Sequence, residues 1–76
     1  MSKITVTATL CPTGLFQISL FRDGEPAASQ WRSVSPDALP VVVAAFARAA
    51  IDPRKPYIMA LTESAPDRCT VEAVTA

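Results

Sequence analysis

From Lys3 to Cys11 apolar and polar residues alternate without a break, with Ile4, Val6, Ala8 and Leu10 on one side and Thr5, Thr7, Thr9 and Cys11 on the other. A period of two marks a strand with one buried and one wet face. Pro12-Thr13-Gly14 carries turn chemistry, with Gly14 available for positive φ, and a second strand is predicted from Leu15 to Arg22. Asp23-Gly24 then favours a two-residue hairpin loop of type I′. With those two residues as the loop, Arg22 faces Glu25, Leu20 faces Ala27, Ile18 faces Ser29 and Phe16 faces Trp31. This register places Phe16, Ile18, Leu20 and Trp31 on one buried face. It turns Gln17, Ser19, Gln30 and Arg32 outward and leaves Phe21 on the open face. Pro26 has no N–H to give to a ladder, so the third strand is expected to be an edge there, or to pair fully only after Ala27.

The pattern changes at Ser35. Leu39, Val42, Val43, Phe46 and Ala50 follow the spacing of one stripe on a 3.6-residue helix, which predicts a helix from Ser35 to Ile51 lying on the sheet. Ser35 suits the N-cap through its hydroxyl, Pro36 sits where a missing N–H costs nothing, and Asp37 favours the positive helix end. Pro40 loosens the first turn or moves the regular helix to begin near Leu39, and Asp52-Pro53 stops it. The opposite face, with Val41, Ala44, Ala45 and Ala47, carries little polarity. It is read either as a surface of high helix propensity or as a small-residue face that docks another chain.

After the helix, Tyr57 to Thr62 is a short apolar run expected to be a well-buried strand, Ser64-Ala65-Pro66-Asp67 a turn, and Cys69 to Val74 the final strand. The order βββαββ predicts an α+β two-layer sandwich, residues 1–76 forming one domain: an antiparallel sheet of four to five strands with one helix across one face. The far face of the sheet is left open, and Thr5, Thr7, Thr9, Gln17 and Ser19 suit it.

Composition narrows the function classes. Half of the residues are hydrophobic, and seven basic residues balance seven acidic ones, so the chain is globular and carries neither the basic excess of a nucleic-acid binder nor the acidic excess of a DNA mimic. No apolar run approaches the roughly 20 residues of a membrane span, and no leader precedes Ile4, so no membrane association and a cytoplasmic location are expected. Histidine is absent, which removes both the usual general base near neutral pH and a zinc ligand set; Cys11 and Cys69 are expected as reduced thiols. Asp23, Asp37 and Asp52 are explained by turn and helix ends, leaving Glu25, Glu63, Asp67 and Glu72 scattered, and no phosphate-binding loop is present. The expectation is a non-enzyme with no metal and no cofactor.

The stretch I4-T-V-T-A-T-L-C-P-T-G-L-F-Q-I-S-L-F-R-D-G24 resembles the opening of small phage-encoded anti-CRISPR proteins, with their T-V-T strand, proline-glycine turn, alternating strand and Arg-Asp-Gly. The alanine, arginine, valine and proline usage, with no asparagine, fits a GC-rich host and a lean within the family towards subtype I-C. The resemblance implies a stoichiometric inhibitor that binds a protein subunit of a type I CRISPR-Cas surveillance complex, Cascade, in the host cell and blocks recognition of target DNA, without itself touching nucleic acid. The expected contact site is the second hairpin tip, Phe21, Arg22, Asp23 and Glu25, or the open sheet face. A monomer is expected on this reading. The alternative is a small homodimeric structural or accessory module without enzymatic activity, paired through the alanine face of the helix or through an edge strand.

Overall fold

The structure, a computed structural model, describes residues 2–75; the outermost residues of the expected 1–76 domain lie outside it. Five strands, β1 (Ser2–Leu10), β2 (Phe16–Arg22), β3 (Glu25–Arg32), β4 (Tyr57–Ala65) and β5 (Arg68–Thr75), form one antiparallel sheet in the order β3-β2-β1-β5-β4. A single helix, α1 (Leu39–Ala50), packs on one face, entered through a 3-10 turn at Pro36–Ala38. The shortest Cα extent, 16 Å of 37 × 22 × 16 Å, is that of one helix laid on one sheet. This is the expected two-layer α+β architecture with the order βββαββ. Among the described residues no helix is long and apolar enough to cross a membrane.

Both hairpin loops form as their residues dictate. Gly14 takes φ +86° and its N–H donates to the Cys11 carbonyl at 2.9 Å, closing the β1–β2 turn. Asp23 and Gly24 have φ 53° and 85°, the two positive values that a type I′ turn requires. The last strand pairs centrally: β5 lies between β1 and β4, so the two ends of the chain meet side by side in the middle of the sheet.

The core is Ile4, Val6 and Ala8 of β1, Phe16 and Ile18 of β2, Cys69, Val71 and Ala73 of β5, and Leu39, Val43, Ala47 and Ile51 of the helical segment. Ala8, Ala73 and Ala47 have no exposure, and their small side chains let the helix lie close to the centre of the sheet. No residue of β3 or β4 belongs to this core.

Several expectations are corrected here. The buried stripe of α1 is Leu39, Val43 and Ala47, with Val42, Phe46 and Ala50 half-buried beside it, so Ala47 belongs to the core and not to the outer face. Ser35 precedes the helix in extended conformation, but its hydroxyl makes no cap; its carbonyl accepts instead from the Ala38 N–H at 3.0 Å, and Pro40 delays the α-helix until Leu39. The Tyr57 run is not buried. It forms an edge strand, with Ile58 76% and Leu61 50% exposed, because the helix covers β1 and β5 and stops short of β4.

The largest correction is in β3. Arg22 pairs with Glu25 and Phe21 with Pro26, but a bulge follows, so that Leu20 faces Ala28 and Ala27 is the extra residue. From there the pairing is Ile18 with Gln30, Gln17 with Trp31 and Phe16 with Arg32. One inserted residue exchanges the faces of everything beyond it. Trp31, expected in the core beside Phe16, stands on the open face opposite Gln17 and is 56% exposed. Gln30 and Arg32, expected outward, turn to the helix side, where the Arg32 guanidinium sits 5.3 Å from the centre of the Phe46 ring, a cation–π distance. An edge strand accepts such a bulge because only one neighbour has to follow it, and the paired alanines offer no bulky side chain to hold the regular register.

Candidate protein-binding surface

The open sheet face divides into a polar half that is internally bonded and a half that is not. Over β1, β5 and the Thr62 and Glu63 end of β4 several side chains satisfy one another, while Ile58 stands exposed at the other end of β4. Lys3 Nζ pairs with Glu72 Oε1 at 3.2 Å, and Arg68 Nε with Glu63 Oε1 at 2.8 Å. The Thr70 hydroxyl donates to Glu63 Oε1 at 3.4 Å and lies 3.3 Å from that of Thr7, which leaves Thr7 as the donor to Thr70. Thr62 Oγ1 donates to the Thr70 carbonyl at 3.3 Å across the β4 bulge. These threonines and ion pairs hold the face in place, and the exposed pairs add little net stability in water.

Over β2 and β3 the face is different. Register places Gln17, Ser19 and Phe21 of β2 opposite Trp31, Ser29 and Pro26 of β3, and a shallow depression of about 390 Å³ runs from Gln17 to Phe21 and past the bulge at Ala27, with Trp31 outside its lining. Phe21 is half-buried here and Trp31 projects. Two separate aromatic side chains, four ladder positions apart, thus stand on this face with amide and hydroxyl groups between them. Tryptophan so placed presents a large apolar area at small entropic cost, the chemistry of an interface anchor.

The four residues singled out from the sequence separate on this structure. Phe21 joins the open-face patch. Arg22 reaches the other way, its Nη2 donating to the Ala50 carbonyl at 3.4 Å, where a cation meets the negative end of the helix. Asp23 is bound to the start of β1: its N–H donates to the Lys3 carbonyl at 2.8 Å and its Oδ1 accepts from the Lys3 N–H at 2.9 Å. Glu25 is exposed and makes no ion pair among the described residues. Trp31 is the residue that reading the sequence left out of the site. The signal that could have found it is the Pro26-Ala27-Ala28 run, where a proline and two small residues on a candidate edge strand invite a bulge.

Asp52 accepts from Arg54 through side chain and backbone, Nε at 3.1 Å and N–H at 3.0 Å, and these bonds hold its carboxyl below the usual range. Cys11 and Cys69 are free thiols; burial, and then the charge of Glu63, pushes the Cys69 thiol up, which keeps it neutral and unreactive. Among the described residues no three His, Cys, Asp or Glu side chains gather to hold a metal. Comparison of the chain with protein-family models, with curated proteins and with solved structures finds no match.

Proposed function

We propose that the protein is a non-enzymatic binding module whose docking face is the open sheet surface over β2 and β3, and that it inhibits a type I CRISPR-Cas surveillance complex by occupying a protein subunit of Cascade so that target DNA is not recognised. The observation that carries the docking face is Trp31 standing 56% exposed on an uncovered sheet, with Phe21 on the same face four residues further along β2 from Trp31's partner Gln17. The identity of the partner rests on the resemblance of residues 4–24 to anti-CRISPR proteins. The charge balance of seven against seven favours contact with protein over mimicry of DNA across the whole surface. Within the hairpin tip the reading keeps Phe21 and Glu25 as contacts and gives Arg22 and Asp23 the task of holding the tip to the helix end and to β1.

The test is retention of purified type I-C and type I-F surveillance complexes on tagged protein, followed by a target-DNA binding assay. Retention of a complex with loss of DNA binding is expected, and Trp31→Ala should weaken retention by about 30-fold or more, the scale of a hot-spot residue. Retention of neither complex would remove the anti-CRISPR reading. Full retention by folded Trp31→Ala and Phe21→Ala variants would move the contact off this face.

A further inference from the structure

The two edges of the sheet are built differently. The β3 edge is blunted by Pro26, by the bulge at Ala27 and by charges at both ends, Glu25 and Arg32, which are common means of preventing edge-to-edge pairing. The β4 edge has none of these between Tyr57 and Leu61: Tyr-Ile-Met-Ala-Leu contains no charge, proline or glycine. Pro56 bounds the run on one side and the bulge at Thr62 on the other.

The direction of the backbone groups along this run follows from the ladder. Leu10 N–H donates to the Asp67 carbonyl at 2.8 Å, while Cys11 N–H donates to Leu15 and Asp23 N–H to Lys3, so even-numbered residues of β1 face β5 and odd-numbered ones face β2. The odd-numbered residues of β5 therefore face β1 and its even-numbered residues face β4, which makes Val74 with Ile58 and Glu72 with Ala60 the hydrogen-bonded pairs. What remains is a row of outward N–H and C=O groups at Tyr57, Met59 and Leu61, centred on Met59.

We infer that this edge pairs with the same edge of a second copy, antiparallel about a two-fold axis at Met59. Residues whose numbers are equally far from 59 then face one another. Met59 meets Met59 of the second copy, Tyr57 meets Leu61, and these positions exchange about six backbone hydrogen bonds. Ile58 meets Ala60 on the open face. Every facing pair is apolar, and Ile58, Tyr57 and Leu61, 76%, 39% and 50% exposed, lose water together. The axis stands perpendicular to the sheet, so the two open faces lie on one side of a continuous sheet, with a Trp31 towards each far edge. The β2–β3 docking face stays clear, so the dimer departs from the monomer expected of an inhibitor but leaves the proposed contact site of each copy free.

Sedimentation velocity across a concentration series, with amide hydrogen exchange on the same protein, tests this. A reversible dimer is expected, with the amides of Tyr57, Met59 and Leu61 gaining protection as concentration rises and those of β3 not doing so. Ile58→Lys, at a side chain outside the core, should raise the dissociation constant at least ~10-fold, since the change enters the interface twice, while the circular dichroism spectrum stays native. A monomer at all concentrations up to about 0.5 mM, a range that reveals dissociation constants into the millimolar region, would overturn the inference. So would a dimer that Ile58→Lys leaves intact, or one in which those three amides exchange as fast as before.

Discussion

At the scale of single residues, the backbone of the Asp23-Gly24 turn is held from two sides. Both residues have positive φ, and the turn is fastened by the two Lys3–Asp23 bonds, so its conformation is imposed by its surroundings as well as by its sequence. A Cβ at Gly24 would meet nothing within 4 Å, which makes the whole cost of Gly24→Ala conformational. Chemical denaturation should show a loss of about 1–2 kcal/mol with the slope against denaturant unchanged; a loss below roughly 0.3 kcal/mol would mean that the turn relaxes to another type. Residue-level signals of this kind were legible in advance: the turn glycines, the stop at Asp52-Pro53 and the late helix start at Pro40 are local chemistry. The Ser35 hydroxyl was not, because Pro36 and Pro40 leave a 3-10 turn in which the backbone carbonyl of Ser35 does the capping.

At the scale of elements, the helix and the edge strands show where periodicity decides and where it does not. In β1 and β2 a large apolar residue stands at nearly every second position, so the face is set by burial and a slip would expose Ile4, Val6, Phe16 and Ile18 together. In β3 the only large apolar residue is Trp31, and nothing else opposes a one-residue shift; the register was therefore free to follow the bulge. The same weakness explains β4. An unbroken apolar run has no period to read, so an exposed edge strand looked like a buried one. On α1 the stripe was legible but its centre was not, since Ala47 is apolar enough for either side and only packing against the sheet selects it. Ala47→Leu should cost about 1–3 kcal/mol through overpacking, whereas Ala45→Leu, on the exposed side, should change stability by no more than about 0.5 kcal/mol. Equal thermal midpoints for the two variants would contradict the rotation of the helix described here.

At the scale of the whole molecule, a single helix covers only the centre of a five-stranded sheet. This leaves one complete sheet face, two edges and the outer side of the helix to solvent. The architecture separates two tasks: β1, β2, β5 and α1 supply the core, while β3 and β4 lie outside it, and the proposed contacts gather on these edge strands and on the open side of β2. Pro26 marked β3 as an edge in the sequence, whereas the β4 edge could not be read there, because it is settled by β5 entering between β1 and β4. The account turns on the bulge that brings Trp31 out onto the open face, and Trp31 is the sole tryptophan of the chain. Its fluorescence in the native protein tests this most directly. The account predicts an emission spectrum close to that of tryptophan in water and ready quenching by acrylamide, both little changed on unfolding. A blue-shifted emission shielded from the quencher until the chain unfolds would return Trp31 to the core beside Phe16, and with it remove both the bulge and the docking face.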